Sequence, residues 1–178
     1  MIVYFIRHAS AGERLDNPTK DEKRPLDEEG VLQCRSMGRI LAAFEVRPDV
    51  ILSSPLKRAV QTASSVANEL GHEGKIFLED ALRPEARFED FLEALRAHIR
   101  AESVIVVGHR PSIDEFVSRI LGSQAGTRPA VTMKKGTVAK VDLERRLRGT
   151  LQWCITPRMV RAIQESLNKS SRPKTERK

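Results

Sequence analysis

The feature that most constrains the fold of this chain is the alternation of short apolar runs with longer amphipathic segments through residues 1–121. The clearest apolar run is VIVV at 104–107, and similar runs occupy 2–6, 50–53 and 75–78. Such runs are typical of strands buried on both faces of a sheet. Strands that alternate with helices predict a three-layer α/β/α sandwich with a largely parallel sheet.

Helix signals occur after each predicted strand. Asp27 is predicted to cap the first helix, Ser54-Pro55 to begin the second, and Ser112 with Glu115 to form a capping box for the fourth. Residues 10–24 are interpreted as a loop. The predicted inner faces of the first and third helices are Val31, Leu32, Met37, Ile40, Leu41 and Phe44, and Phe88, Phe91, Leu92, Leu95 and Ile99.

The pattern changes after residue 122. Two alternating segments, 138–143 and 150–155, predict an antiparallel C-terminal hairpin, and Pro157 is predicted to begin a last helix. Residues 1–167 are therefore expected to form one domain. Residues 168–178 carry five Lys or Arg against one Glu and have little apolar surface, so we expect a disordered basic tail.

Composition indicates a cytoplasmic protein. The apolar run at the start of the chain ends at Arg7, too early for a signal-peptide core or a membrane span. The two cysteines, Cys34 and Cys154, lie in apolar-periodic segments and are expected to be buried thiols without a disulfide. No membrane partner is expected, and we expect a monomer.

Polar residues follow three of the predicted strands. Arg7-His8 comes after the first strand, Ser53-Ser54 ends the second, and Gly108-His109 ends the fourth. The carboxyl ends of parallel strands meet at one edge, where ligands bind in open α/β sheets. Arg58, one turn into the second helix, can offer a bidentate fork to an anion at that edge. Each residue alone has an ordinary surface interpretation, but their convergence predicts an anion site.

These motifs carry a resemblance to a known family. Arg7-His8-Ala9 resembles the Arg-His-Gly signature of the histidine phosphatase superfamily, which has the phosphoglycerate mutase-like fold, with alanine in place of glycine. Segment 53–63 resembles the family's second block, and Gly108-His109 its late histidine motif. Segment 24–30 resembles its first-helix entry, with Asp27 where threonine is usual. The match runs in order from Met1 to about Ile163. The short length, RPEA at 83–86 and WCITP at 153–157 look most like the SixA-type phosphohistidine phosphatases.

The resemblance implies a metal-independent phosphatase without a cofactor. His8 would be the nucleophile that forms a phosphohistidine intermediate, while Arg7, Arg58 and His109 would bind the phosphoryl oxygens. Glu85 is the preferred candidate for a general acid, with a solvated loop carboxylate as its alternative reading. No helical lid fits between Gly71 and Phe88, so a shallow site is expected, which favours a phosphohistidine protein as substrate.

Other interpretations stay open. A small-molecule phosphomonoesterase or a phosphoglycerate mutase-like enzyme would share His8, Arg58 and His109. A catalytically silent module that binds phosphate or nucleic acid is the alternative of another class, although the chain has only one Trp and one Tyr for base stacking. Nucleic acid is therefore not an expected partner. Lys134 and Lys135 either extend the anion site or form a solvated turn.

Overall fold

The computed structural model describes residues 1–144 and 147–170, and its side chains through residue 166. The strands are β1 (Ile2–Arg7), β2 (Val50–Ser53), β3 (Ile76–Leu78), β4 (Ser103–Gly108), β5 (Val138–Leu143) and β6 (Gly149–Ile155). The helices are α1 (Pro18–Glu22), α2 (Glu28–Ala43), α3 (Lys57–Leu70), α4 (Phe88–Arg96), α5 (Ser112–Ile120) and α6 (Pro157–Ser170). A 3-10 turn, Asp80–Leu82, follows β3.

The six strands form one sheet in the order β3-β2-β4-β1-β5-β6. The first four in that order pair in parallel, and β5 then runs antiparallel to both β1 and β6. This confirms the expected parallel sheet with an antiparallel hairpin. Because β1, β2 and β4 are neighbours, their carboxyl ends lie side by side at one edge.

Two apolar clusters lie on opposite faces of the sheet, which confirms the three-layer arrangement. Val3 and Phe5 of β1 pack with α4 and α5, whereas Tyr4 and Ile6 pack with α2 and α3. Successive strand side chains point to opposite faces. A strand buried on both sides must therefore be apolar at every position, which explains the unbroken apolar runs in the sequence.

Two predicted helix starts differ in the structure. The α3 helix begins at Lys57 with Leu56 at its N-cap and without a side-chain cap, so Ser54 lies before the helix. The α5 helix has Pro111 at its N-cap, and the Ser112 hydroxyl donates to the carbonyls of Arg83 and His109. In both places the hydroxyl is used in a tertiary contact, which local spacing does not reveal. The predicted Asp27 cap is confirmed.

The inner face of α2 was predicted correctly at Met37, Ile40 and Leu41, but wrongly at Val31, Leu32 and Phe44. Val31 and Leu32 are exposed, while Gln33 and Cys34 are buried. Gly30 lies against the Ser10 carbonyl so closely that a Cβ would clash there. At the start of α2 this close approach therefore turns Gln33 and Cys34 inward in place of Val31 and Leu32.

The remaining differences concern one additional helix, the ends of two others and the burial of one cysteine. The predicted loop at 10–24 contains α1, capped by Asn17. The α4 helix ends at Arg96, which leaves Ile99 beyond it and exposed. Cys34 is buried, but Cys154 is only half-buried. The α6 helix reaches Ser170, and the rest of the predicted tail, 171–178, lies outside the described residues.

Candidate active site

The predicted site residues lie at the edge where three parallel strands end. The His8 backbone N–H donates to the Gly108 carbonyl at 3.0 Å, and the Ser54 N–H donates to the Val107 carbonyl at 2.9 Å. These hydrogen bonds extend the ladders just past the strand ends. The residues after β1, β2 and β4 are thereby held side by side.

His8 is buried with one ring nitrogen already engaged. Its Nδ1 lies 2.8 Å from the Ala9 carbonyl oxygen. A carbonyl can only accept, so Nδ1 carries the proton and the neutral ring has its lone pair on Nε2. The Ala9 N–H in turn donates to the Thr62 hydroxyl at 3.2 Å, which ties this turn to α3. The backbone therefore selects the tautomer of His8.

His109 faces His8 across the site, with ring centroids 4.8 Å apart. Its Nε2 lies 2.9 Å from the Ser54 hydroxyl. Its Nδ1 is buried and has no hydrogen-bond partner among the described residues. Sequence spacing assigned Ser54 to a helix cap, and only the tertiary structure brings its hydroxyl to this ring.

Both rings are neutral at pH 7. Burial, together with the charges of Arg58, Arg7 and Lys135, lowers the pKa of His8 to about 3, while the hydrogen bond to Ala9 opposes the shift. Burial likewise lowers the pKa of His109 to about 2, assisted by His8 and by the charges of Arg58, Arg7 and Arg83. An imidazole without a proton on Nε2 is a competent nucleophile.

These depressed values predict a loss of stability in mild acid. Below pH 6.5 the unfolded chain binds protons on both histidines, while the folded chain resists protonation down to about pH 3 at His8. The free energy of unfolding should therefore fall as pH falls, by up to about 1.4 kcal/mol per pH unit per histidine. Urea unfolding at pH 7, 6 and 5 in phosphate-free buffer measures this slope. His8→Asn should reduce it, and equal stability of the wild type at pH 5 and pH 7 would contradict it.

Arg7 ends β1 and is half-buried. Its Nη1 donates to the Met133 carbonyl at 2.9 Å, which fixes the direction of the guanidinium. Burial lowers the pKa of Arg7, and nearby Arg110 lowers it further, while Asp114 opposes this. Its Nε has no hydrogen-bond partner among the described residues. A buried donor without a partner is costly, and an anion can satisfy it.

Arg58 is buried, at 5% exposure, and is held by α1. Its Nη1 donates to the Asp21 carbonyl at 2.9 Å and lies 3.3 Å from that residue's carboxylate. The same carboxylate accepts from Arg24 Nε at 2.8 Å. Arg58 Nε, like that of Arg7, lacks a partner within the described part of the chain.

The side chains of Arg7, His8, Arg58 and His109 line one cavity of about 400 Å³. The lining residues are Arg7, His8, Gly12, Arg14, Pro18, Asp21, Glu22, Arg24, Leu56, Arg58, Arg83, Pro84, Glu85, His109, Arg110 and Lys135. Glu85 lies at the rim of the cavity with an exposed side chain, whereas His8, Arg58 and His109 are buried. Within the described ranges, no group of three or more His, Cys, Asp or Glu could hold a metal ion.

The cavity has a wall that the sequence did not predict. No helical lid lies between β3 and α4, as expected, but α1 stands on the other side of the site. Glu22 of α1 pairs with Arg83 Nη1 at 2.8 Å, which joins that helix to the loop after the 3-10 turn. The expected shallow site is thus bounded by a short helix. Asn17 followed by Pro18 was the available signal for it, a capping residue before proline.

The residues that the sequence interpretation missed are those that hold the predicted ones. Asp21 of α1 holds Arg58 through an ion pair, and Glu22 of the same helix pairs with Arg83. Ser54 was predicted at this edge, but its contact with His109 was not. None of the helices described through residue 170 is long and apolar enough to span a membrane.

Comparison with known proteins identifies the family. Residues 3–84 match the family model described as histidine phosphatase superfamily (branch 1). An uncharacterized protein of Picosynechococcus sp. is 33% identical over 129 residues, which cover 71% of this chain and 76% of that protein. The mitochondrial serine/threonine-protein phosphatase Pgam5 of Drosophila mojavensis is 28% identical over 148 residues, and this chain spans only 50% of its length.

Solved structures agree with the sequence comparison. The protein histidine phosphatase SixA in complex with tungstate superposes with a TM-score of 0.78 at 26% identity, covering 88% of this chain and 97% of SixA. The shared fold therefore extends over nearly the whole SixA chain. The cavity of paired histidines and arginines, the family model and these relatives lead to one conclusion: this chain belongs to branch 1 of the histidine phosphatase superfamily and is a phosphatase.

Proposed function

We propose that this phosphatase acts on phosphohistidine in proteins and transfers the phosphoryl group first to His8 Nε2 and then to water. One observation carries the proposal. A neutral, buried imidazole, with its lone pair on Nε2, lines a cavity in which Arg7 Nε, Arg58 Nε and His109 Nδ1 lack partners among the described residues. Two guanidinium groups and a second imidazole line the same cavity as this nucleophile, and such a set of donors suits the oxygens of a phosphoryl group.

The reaction has two steps. In the first, the substrate ring takes a proton from solvent on its other nitrogen, His8 Nε2 forms a bond to phosphorus, the bond from phosphorus to the substrate imidazole breaks, and that imidazole leaves as a neutral ring. In the second, water attacks phosphorus, the bond to His8 breaks, and inorganic phosphate departs. Arg7 and Arg58 supply fixed positive charge to the equatorial oxygens in both steps.

The exposed carboxylate of Glu85 bears on the choice of substrate. An alkoxide leaving group needs a positioned acid, whereas a phosphohistidine can be protonated on its ring before it leaves. Glu85, at the rim, remains our candidate acid for phosphate esters. The dependence on a positioned acid is smaller for phosphohistidine, which together with the similarity to SixA supports a phosphohistidine protein as substrate.

The test is a comparison of substrates in the presence of a metal chelator. We expect kcat/KM on a phosphohistidine protein to exceed kcat/KM on sugar phosphates or phosphoglycerates by about ten-fold or more. This is the order of magnitude of a general-acid effect. Rapid release from the small esters with phosphohistidine protein untouched would instead favour a small-molecule phosphomonoesterase. Loss of activity with the chelator would contradict the metal-independent mechanism.

Ser54 has a positioning role in this proposal. Its hydroxyl oxygen can accept from the Leu56 N–H at 3.4 Å while its proton is donated to His109 Nε2. That arrangement leaves the proton of the neutral His109 ring on Nδ1, the nitrogen without a partner among the described residues. His109 then offers a donor to a phosphoryl oxygen.

Ser54→Ala should lower kcat about ten-fold, because His109 loses the partner that selects its tautomer. Ser54→Thr should retain most of the activity, since it keeps the hydroxyl. The pH profile of kcat provides the readout that a purely structural role would not move: the Ala variant should change it and the Thr variant should not. Equal losses in both variants, with an unchanged profile, would contradict the positioning role.

A further inference from the structure

The cavity contains more positive charge than one phosphoryl group needs. Seven of its lining residues are basic and three are acidic. The basic ones are Arg7, Arg14, Arg24, Arg58, Arg83, Arg110 and Lys135, and the acidic ones are Asp21, Glu22 and Glu85. Like charges held close together cost free energy unless an opposite charge neutralises them.

Most of the basic residues already have a carboxylate. Asp21 pairs with Arg24 and Arg58. Glu22 pairs with Arg83, and the buried Asp114 pairs with Arg110 at 2.6 Å. Within the described ranges, the basic lining residues without an ion-pair partner are Arg7, Arg14 and Lys135. Arg7 belongs to the proposed phosphoryl site, which leaves two.

These two residues lie on the same side of the cavity. Lys135 Nζ donates to the Gly12 carbonyl at 3.3 Å, and Arg14 follows two residues later in the same loop. Asp27 holds the loop in place, because its carboxylate accepts from the Gly12 N–H at 2.7 Å. Lys135 lowers the pKa of His8, and Arg14 lowers that of Arg58, so both charges act on the buried site.

We propose that Arg14 and Lys135 form a second anion subsite that binds an acidic side chain next to the phosphohistidine of the protein substrate. This inference rests on the proposed function and specifies its substrate class. Arg14 is exposed and Lys135 half-buried, so both can reach a chain that lies across the mouth of the cavity. Charge complementarity of this kind selects among partners and speeds their encounter.

Two histidine-phosphorylated peptides test the subsite, one with Asp and Glu beside the phosphohistidine and one with Asn and Gln. At low salt we expect the wild type to prefer the acidic peptide about five-fold in kcat/KM, as two partly exposed ion pairs would give. The double variant Arg14→Gln/Lys135→Gln should lose the preference, so that its kcat/KM values on the two peptides become equal, even though both values fall because the cavity has lost two positive charges. The charge-matched control Arg35→Gln/Arg100→Gln, outside the cavity, should keep it, and about 0.5 M salt should reduce it in the wild type.

The outcomes separate this inference from the proposed function. Equal wild-type rates on the two peptides would overturn the subsite and leave the phosphohistidine activity intact. A preference that persists in the double variant, or that disappears equally in the control, would also overturn it. Hydrolysis of neither peptide, with His8-dependent hydrolysis of p-nitrophenyl phosphate retained, would overturn the proposed function and the subsite together.

Discussion

Replacing His8 by alanine should lower kcat/KM on a phosphohistidine protein by about 10⁴-fold or more, because the covalent route is lost altogether. The buried imidazole provides the lone pair on Nε2, and His109 cannot replace it, since its Nε2 is engaged with Ser54. Single-turnover kinetics with a ³²P-labelled substrate measure the loss. Acid quench and alkaline quench distinguish the phosphohistidine, which acid destroys, from a phosphoester.

The wild type should carry an acid-labile label during turnover, and His8→Ala should carry none. His72→Ala, a histidine outside the cavity, is the matched control and should be labelled normally. Label that persists in His8→Ala, or activity within about ten-fold of the wild type, would show that another group accepts the phosphoryl and would refute the mechanism.

Replacing Arg58 by lysine should lower kcat/KM by about 10²-fold, although the positive charge is kept. A guanidinium can donate to Asp21 and to a phosphoryl oxygen at the same time through different nitrogens, whereas an ammonium on a shorter reach cannot span both. The dissociation constant of tungstate or inorganic phosphate should rise in parallel, since the lost contact is to the anion itself. Steady-state kinetics and anion titration measure the two effects.

Thermal unfolding distinguishes a lost contact from a damaged fold, because Arg58 is buried against α1. The variant's Tm should stay within several degrees of the wild type, since Arg24 still pairs with Asp21. Arg35→Lys, on the exposed side of α2, is the control and should change neither quantity. Unaltered anion binding in Arg58→Lys would remove this residue from the phosphoryl site.

Much of the fold was predictable because its signals are local and redundant. A short apolar run of β-branched residues such as 104–107 is typical of a strand buried on both faces, and its alternation with helices leaves few topologies. The position of Arg7-His8, Ser53-Ser54 and Gly108-His109 at strand ends follows from the same pattern. The structure places these three segments side by side through the backbone hydrogen bonds from His8 and Ser54.

Individual helix ends were less predictable, since a hydroxyl near a helix start has two uses that local spacing does not distinguish. Ser54 and Ser112 could each have capped a helix, but their hydroxyls contact His109 and the Arg83 carbonyl instead. Val31 and Leu32 were wrongly placed on the inward face of α2 for a similar reason. The orientation of this helix depends on how closely Gly30 approaches the Ser10 carbonyl, which is a property of two elements and not of one.

The sequence by itself determined the layered fold, the edge of the sheet that bears the site, and the residues His8, Arg7, Arg58 and His109 brought together there. The tertiary structure alone decided the contacts that hold two of those groups: Ser54 contacts His109, and Asp21 on an unpredicted helix holds Arg58. The physical reason is one of range. Burial patterns repeat along the chain and can be recognised locally, whereas hydrogen bonds and ion pairs between residues 37 to 55 positions apart depend on how the finished layers meet.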